Sequence, residues 1–327
     1  MSKEISVIMP FCNEMPQVIF TVQSLVEELH GFCDYEIILI DNLSSDKMMC
    51  KTEEREWPVR QRAFFSNHKG TINTWLFRKK FIKYLQYDDK KGHWNAKNHG
   101  IVNSTGKYLF FLDAHCVMKR DSLRKMIRHA RYLDTVEKWG GLHAYINYML
   151  DSHRLEYKVQ RKTFGYQFCS AQPGRKEPYK VCVMSTCGML SPRTVFDELG
   201  PWHPELGIYG GGESYINWKQ STCGYHHWIH QEAECWHYAD KRGYAWNHGD
   251  FVRNSFIAAY VVGGDKFLEE QIILRKQKER HNVIDELAAD VREKCGDEMR
   301  FIASKQVETF DQYISRWEAN PGTWRRK

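Results

Sequence analysis

The chain has 327 residues, 42% hydrophobic and 14% aromatic, about two average domains' worth with ample core material, which excludes a disordered or fibrous protein. Its 47 basic and 41 acidic residues leave a net charge of +6, a modest bias that suits an acidic ligand such as a nucleotide or nucleic acid. The longest wholly apolar run, residues 256–262, is far short of the roughly 20 residues of a membrane span. The opening residues also lack a signal peptide's apolar core, so a soluble, cytoplasmic protein is expected.

In chain order, the β-branched run 5–9 stops at Pro10, and residues 21–30 follow with apolar positions at helical spacing. Residues 35–40 form an apolar strand ending at Asp41 and Asn42. Strand, helix, strand, with apolar strands running into polar tips, predicts an α/β domain with a mainly parallel sheet, helices on both faces and ligands gathered at the carboxyl ends. The segment 46–91 reads as charged and irregular. Residues 94–103 read as a helix carrying Lys97 and feeding a strand over 108–112. A helix is expected over 121–139, then mixed strands and loops over 141–191 with a strand at 181–184, and a Gly-rich loop at 210–213. From residue 265 helix formers and charge dominate, with a break expected at Gly296. The chain is therefore expected to divide into an α/β domain over 1–264 and a C-terminal helical subdomain over 265–327. In that tail the apolar stripe of Phe267, Leu268, Ile272 and Ile273 packs onto the domain or forms an oligomer contact. Ten cysteines without any Cys-x-x-Cys pair read as reduced, packed thiols in preference to a disulfide framework.

Asp113 and His115 follow the strand over 108–112, and alternation puts positions two apart on one side of the chain. A carboxylate and an imidazole so placed can chelate a divalent ion; the donor set suits Mn²⁺, with Mg²⁺ as the alternative. The competing reading is an Asp that caps the next turn beside a half-buried His. Asp41 has a similar alternative as a strand-end turn residue, and Lys97 as a solvated helical lysine.

Five stretches occur in order: Ser-Val-Ile-Met-Pro-Phe-Cys-Asn-Glu at 6–14, Ile-Leu-Ile-Asp-Asn at 38–42, Phe-Leu-Asp-Ala-His-Cys at 111–116, Tyr-Gly-Gly-Gly-Glu at 209–213 and Cys-Trp-His at 235–237. Together they resemble the nucleotide-diphospho-sugar glycosyltransferases of GT-A fold, glycosyltransferase family 2 and, within them, the polypeptide N-acetylgalactosaminyltransferases, whose metal motif is Asp-x-His. The similarity spans residues 5–268 and includes Arg253 and Asn254. It implies a UDP-sugar donor and a metal held by Asp113, His115 and His237, with His226, His227 and His230 as competitors for the third place. It assigns Pro10, Phe11, Cys12, Asn13 and Glu14, with Asp41, to the uridine half of the donor, Cys12 standing where the family has a His. Lys97 takes the place of a family Arg near the diphosphate. Ala114, Gly211 and Gly212 join the donor-binding set, the glycines by offering flexible backbone near a ligand, while Glu213 bonds sugar hydroxyls or orients the acceptor.

Inverting relatives usually place an Asp directly after this Glu as the acceptor's base; here Ser214 stands there and cannot serve. A retaining, front-face displacement is therefore expected. Aromatics such as Trp202, Tyr209, Trp228, Trp236 and Trp246 stack on sugar or base faces or, more simply, pack the core. Basic clusters at 78–80, 90–91, 119–120, 175–176 and 325–327 are solvated surface or track a phosphate backbone, and the chain resembles phage glycosyltransferases that modify hydroxymethylated pyrimidines in DNA, which implies such a base as the leading acceptor. A protein Ser/Thr hydroxyl and a glycan precursor are the runners-up, and a non-catalytic binding module or a nucleotidyltransferase are the rival classes.

Overall fold

The computed structural model describes residues 2–44, 79–148, 154–160, 165–170, 177–238, 245–277 and 280–319. The sheet begins with β1 (Ile5–Phe11), flanked in parallel by β2 (Tyr35–Asp41) and β4 (Tyr108–Phe111), while β3 (Ile82–Gln86) pairs in parallel on the far side of β2. Every residue of β1, β2 and β4 is buried, as expected of parallel strands covered on both faces. Alternation divides them between two core layers. Val7, Met9, Ile37 and Leu39 pack with α1 (Met15–Leu29) and α3 (Ser122–Val136). Ile8, Ile38 and Ile40 pack with Trp94, Ala96 and Ile101 of α2 (His93–Val102).

The mainly parallel expectation holds for this half of the sheet only. Past β4 the order runs β10 (Met189–Pro192), β6 (Trp139–Tyr148), β11 (His226–His237) and β5 (Cys116–Met118). β10 is antiparallel to both β4 and β6, and β5 is antiparallel to β11; only β6 and β11 run parallel. Between β6 and β10 the chain adds β7 (Arg154–Gln160), antiparallel to β6, β8 (Gly165–Ser170), antiparallel to β7, and β9 (Tyr179–Val181), antiparallel to β11, while α3 joins β5 to β6. β3 was read as irregular because its edge position leaves it half exposed, and the strand expected at 181–184 is β9, shifted toward the N-terminus.

Two short helices, α4 (Arg193–Leu199) and α5 (Gly212–Thr222), lead to the long α6 (His248–Lys276), α7 (His281–Lys305) and α8 (Phe310–Ala319). Gly264 kinks α6 with φ 68°. Phe256, Phe267, Ile284, Ile302 and Tyr313 all enter the core layer that holds Ile8 and Trp94, and the Tyr313 hydroxyl donates to the Cys182 carbonyl at 2.6 Å. Phe267, Leu268 and Ile272 are buried, whereas Ile273 is exposed. The break expected at Gly296 does not occur: α7 runs through it, because the buried face of this helix outweighs a glycine's cost of about 1 kcal/mol. Among the described residues no helix is long and apolar enough to cross a membrane, and Cys12, Cys33, Cys116, Cys182, Cys187, Cys223, Cys235 and Cys295 are free thiols.

Candidate active site

The loop from β4 to β5 carries Asp113, Ala114 and His115, and the end of β11 carries His237. Pairing of β11 with β5 sets His237 opposite Cys116, one residue past His115, which brings together side chains that are far apart in sequence. The His237 Nε2 lies 3.1 Å from His115 Nε2 and 3.6 Å from an Asp113 carboxylate oxygen. The ligand atoms of the three residues fall within 4.8 Å of one another, against about 3 Å for adjacent ligands of an octahedral ion with bonds near 2.1 Å. One carboxylate and two imidazoles suit Mn²⁺ by donor type and by convergence. The competing histidines lie elsewhere: His227 is buried against Gln220 at 3.0 Å, His230 packs on His129, and His226 faces Glu137.

The charges of this group are mutually arranged. Burial raises the Asp113 carboxyl, but a hydrogen bond from His237 and the charges of Lys97 and His115 overcome that and hold it well below the usual carboxylate range. Burial lowers His115, yet the Glu14 carboxylate, 2.6 Å from its Nδ1, and Asp113 push it up to about 9. Glu14, assigned with Pro10 to Asn13 to the nucleotide, thus reaches the metal group. A carboxylate on the far nitrogen fixes which imidazole nitrogen faces a metal. No sequence pattern pairs residues 14 and 115; their contact follows from the adjacency of β1 and β4.

The strand-end residues form a second cluster. Pro10 and Phe11 are buried in β1, the Cys12 thiol faces the Leu43 carbonyl at 3.7 Å, and Asn13 has φ 60° with its amide donating to Ser44. Asp41 accepts from the Ser44 amide at 3.0 Å and the Tyr84 hydroxyl at 2.7 Å, so its carboxylate is both a turn former and a group at the sheet's carboxyl edge. Ala114 is buried, its carbonyl accepting from Thr21.

Lys97 is not the solvated lysine of the simpler reading. It is fully buried on α2, donates to the Thr186 hydroxyl at 3.0 Å and lies 5.1 Å from the centre of the Trp94 ring. Thr186 in turn donates to Glu213 at 3.2 Å. Burial raises the Glu213 carboxyl above its usual range, against the pull of Lys97. Thr186 was missed because nothing in sequence marks a Thr between β9 and β10. Ser214 is buried.

The Gly-rich loop is held more firmly than flexible backbone near a ligand implies. Gly211 has φ 70°, and a Cβ there would sit 2.4 Å from the Asn254 carbonyl oxygen; one on Gly212 would enter the Trp94 ring. The Asn254 side chain donates to the carbonyls of Tyr209 and Gly210 and accepts from the Gly207 amide. The glycines are therefore required by close packing, and Asn254 ties the loop to α6. Tyr209, Trp246 and Phe251 cluster beside it, whereas Trp202 is a core residue stacked on Trp94.

Residues 66–200 match the family model described as glycosyl transferase family 2. Over its length the chain superposes on a crystal structure of GalNAc-T7 with UDP, GalNAc and Mn²⁺ at TM-score 0.66 and 17% identity, covering 98% of this chain and 57% of that one. The chain has the GT-A fold. Staphylococcus aureus TarS residues 1–349 in complex with UDP-GlcNAc share this GT-A architecture at TM-score 0.54 and 12% identity, over 99% of this chain and 93% of that one. By sequence the GT-A chain is 26% identical over 241 residues to N-acetylgalactosaminyltransferase 7 of Drosophila melanogaster, covering 67% of this chain and 36% of that protein. It is 24% identical over 130 residues to the poly(ribitol-phosphate) beta-N-acetylglucosaminyltransferase TarP of S. aureus, covering 39% of this chain and 33% of that protein. The chain spans about a third of the length of these curated relatives.

Proposed function

We propose that the protein is a metal-dependent glycosyltransferase that moves a sugar from a UDP-sugar to a hydroxyl acceptor, with retention of configuration. The carrying observation is the convergence of Asp113, His115 and His237 at the end of β4 and β11 within a GT-A fold. The superposed structures, solved with UDP, GalNAc and Mn²⁺ or with UDP-GlcNAc, support the donor class. A bound Mn²⁺ supplies positive charge that stabilises a departing diphosphate. Asp113, His115 and His237 hold it, Glu14 orients His115, and Lys97 adds a buried cation toward the same place. Pro10 to Asn13 and Asp41, at the sheet's carboxyl edge, receive the uridine, with Ala114, Gly211 and Gly212 shaping the donor side. Glu213, kept in place by Thr186 and Lys97, meets sugar hydroxyls. Retention is supported by Ser214, which carries no base and is buried.

For the acceptor, a hydroxymethylated pyrimidine in DNA is the finer reading, implied by the resemblance to phage enzymes together with the basic clusters. Two of the described members weaken it: Lys119 is paired with Glu234 at 3.0 Å and Lys90 donates to the Pro204 carbonyl. The clusters at 175–176 and 325–327, and Arg78, lie outside the described residues. The relatives' names favour a polypeptide or poly(ribitol-phosphate) hydroxyl.

The test is UDP release with Mn²⁺, a panel of UDP-sugars and each acceptor class in turn: Ser/Thr peptides, poly(ribitol-phosphate), and plain or hydroxymethylated duplex DNA. Release stimulated by one class and abolished in Asp113→Ala establishes the reaction and names the acceptor. Pyrophosphate in place of UDP points to a nucleotidyltransferase, and silence with every donor to a binding module. Proton NMR of the fresh product decides the stereochemistry, since a β linkage from an α donor overturns retention.

A further inference from the structure

A second constellation adjoins the Asp113–His115–His237 group on its interior side. Cys116 opens β5 directly after His115 and is paired in register with His237. Cys187 precedes β10, held in place where the Gly188 amide donates to the Phe111 carbonyl of β4 at 2.8 Å. The two sulfurs are 3.3 Å apart, and they and a His237 nitrogen lie within 4.8 Å of one another. Cys235, on β11, lies close to both thiols. Cys116 and Cys235 are fully buried and Cys187 is 4% exposed, whereas the Asp113 side chain is 34% exposed.

Thiols packed for their size alone need no common centre. These converge on one, together with an imidazole, from three separate segments. Two thiolates on a tetrahedral Zn²⁺ with Zn–S bonds near 2.3 Å stand about 3.8 Å apart, and a thiolate and an imidazole nitrogen about 3.6 Å. The observed separation of the sulfurs is within about half an ångström of the first figure. Sulfur ligands select a different ion from the neighbouring carboxylate and imidazoles: thiolates prefer Zn²⁺ and other soft cations, carboxylates Mn²⁺ and Mg²⁺.

The geometry points to a second cation site, for a thiophilic divalent ion such as Zn²⁺, made by Cys116, Cys187 and His237 with Cys235 alongside. Its ion reaches the sulfurs past the more exposed Asp113 and His115. Each coordinating thiol loses its proton to solvent as its Zn–S bond forms, and no oxidant or reductant takes part. Because His237 belongs to both sets, a Zn²⁺ held by the sulfurs takes an imidazole from the carboxylate set, and the soft ion opposes binding of the hard one. The site stands on this geometry whether or not the chain transfers sugar.

X-ray absorption at the zinc edge of the full chain, reduced with a phosphine and loaded with one equivalent of Zn²⁺, reads the first coordination shell directly. Two or more sulfur scatterers near 2.3 Å are expected; a shell of nitrogen and oxygen only, near 2.0–2.1 Å, overturns the site. Titration with Co²⁺ provides the second readout. A thiolate-to-cobalt charge-transfer band is expected in the wild type and in Asp113→Ala, and is lost in Cys116→Ala and Cys187→Ala. A band that survives in both cysteine variants overturns the assignment, as does its absence from the wild type. Zn²⁺ at saturation should weaken Mn²⁺ binding to the wild type at least tenfold, read by the electron spin resonance of free Mn²⁺.

Discussion

The two halves of the sheet build the site by different means. In β3, β2, β1 and β4 all pairs are parallel and the strands end on one edge, so Phe11, Asp41 and Asp113 arrive there through strand direction alone. In β10, β6, β11 and β5 the directions are mixed. His237 and Cys187 arrive through register and through loops between strands. Of the converging group, Asp113 and His115 thus come from the parallel half and His237 from the other. A site assembled across such a seam depends on both halves, but only the first supplies it by topology.

That contrast is sharpened most by Asp113→Ala and His237→Ala, one from each half. Both are expected to reduce Mn²⁺-dependent UDP release by more than about 100-fold, above the range for residues that only orient a ligand. Equal losses confirm a shared centre, and activity retained in His237→Ala breaks it. Glu14→Gln comes next. It keeps the shape but removes the charge facing His115, and Mn²⁺ affinity should fall about 10- to 100-fold with the melting temperature unchanged; a lowered melting temperature at unaltered affinity would make Glu14 merely structural.

The half that was legible is the one with simple rules. Apolar runs ending at Asp41 and Asp113, and the spacing of Asp113 and His115, are visible because strand alternation and strand ends are local properties. His237 is singled out by resemblance among several nearby histidines, and its contact with Asp113 depends on the pairing of β11 with β5. Glu14 against His115, Thr186 between Lys97 and Glu213, and Asn254 under the Gly-rich loop are long-range contacts. No window of sequence contains both partners of any of them. Gly296 shows the opposite failure, where a local propensity was read correctly and tertiary packing overrode it.

Smaller effects test the second half's interior. His227 is buried between Gln220 and Ser221; burial, and then the charge of neighbouring His226, lower it from 6.5 to about 3. The unfolded chain takes up this proton near pH 6.5 while the folded one refuses it until about 3. The stability it contributes is therefore complete above the upper value and is lost on acidification, by roughly 1.4 kcal/mol per pH unit across that window. Denaturant melts at stepped pH should show a flatter slope in His227→Gln, and an unchanged slope would place the acid sensitivity elsewhere. Least is expected of Ile273→Ser on the exposed face of α6, within about 0.5 kcal/mol of wild type and with unaltered sedimentation; a shift in sedimentation would make that face an oligomer contact.

Lys97 lies wholly inside the protein, between two indole rings and the Thr186 hydroxyl. Mobile ions in solution cannot gather around a charge placed there, so its field is screened far less than that of a surface lysine. On the proposed reading, the affinity for a UDP-sugar is expected to change little between dilute buffer and concentrated salt, and a steep loss with salt would move the holding charge to the surface.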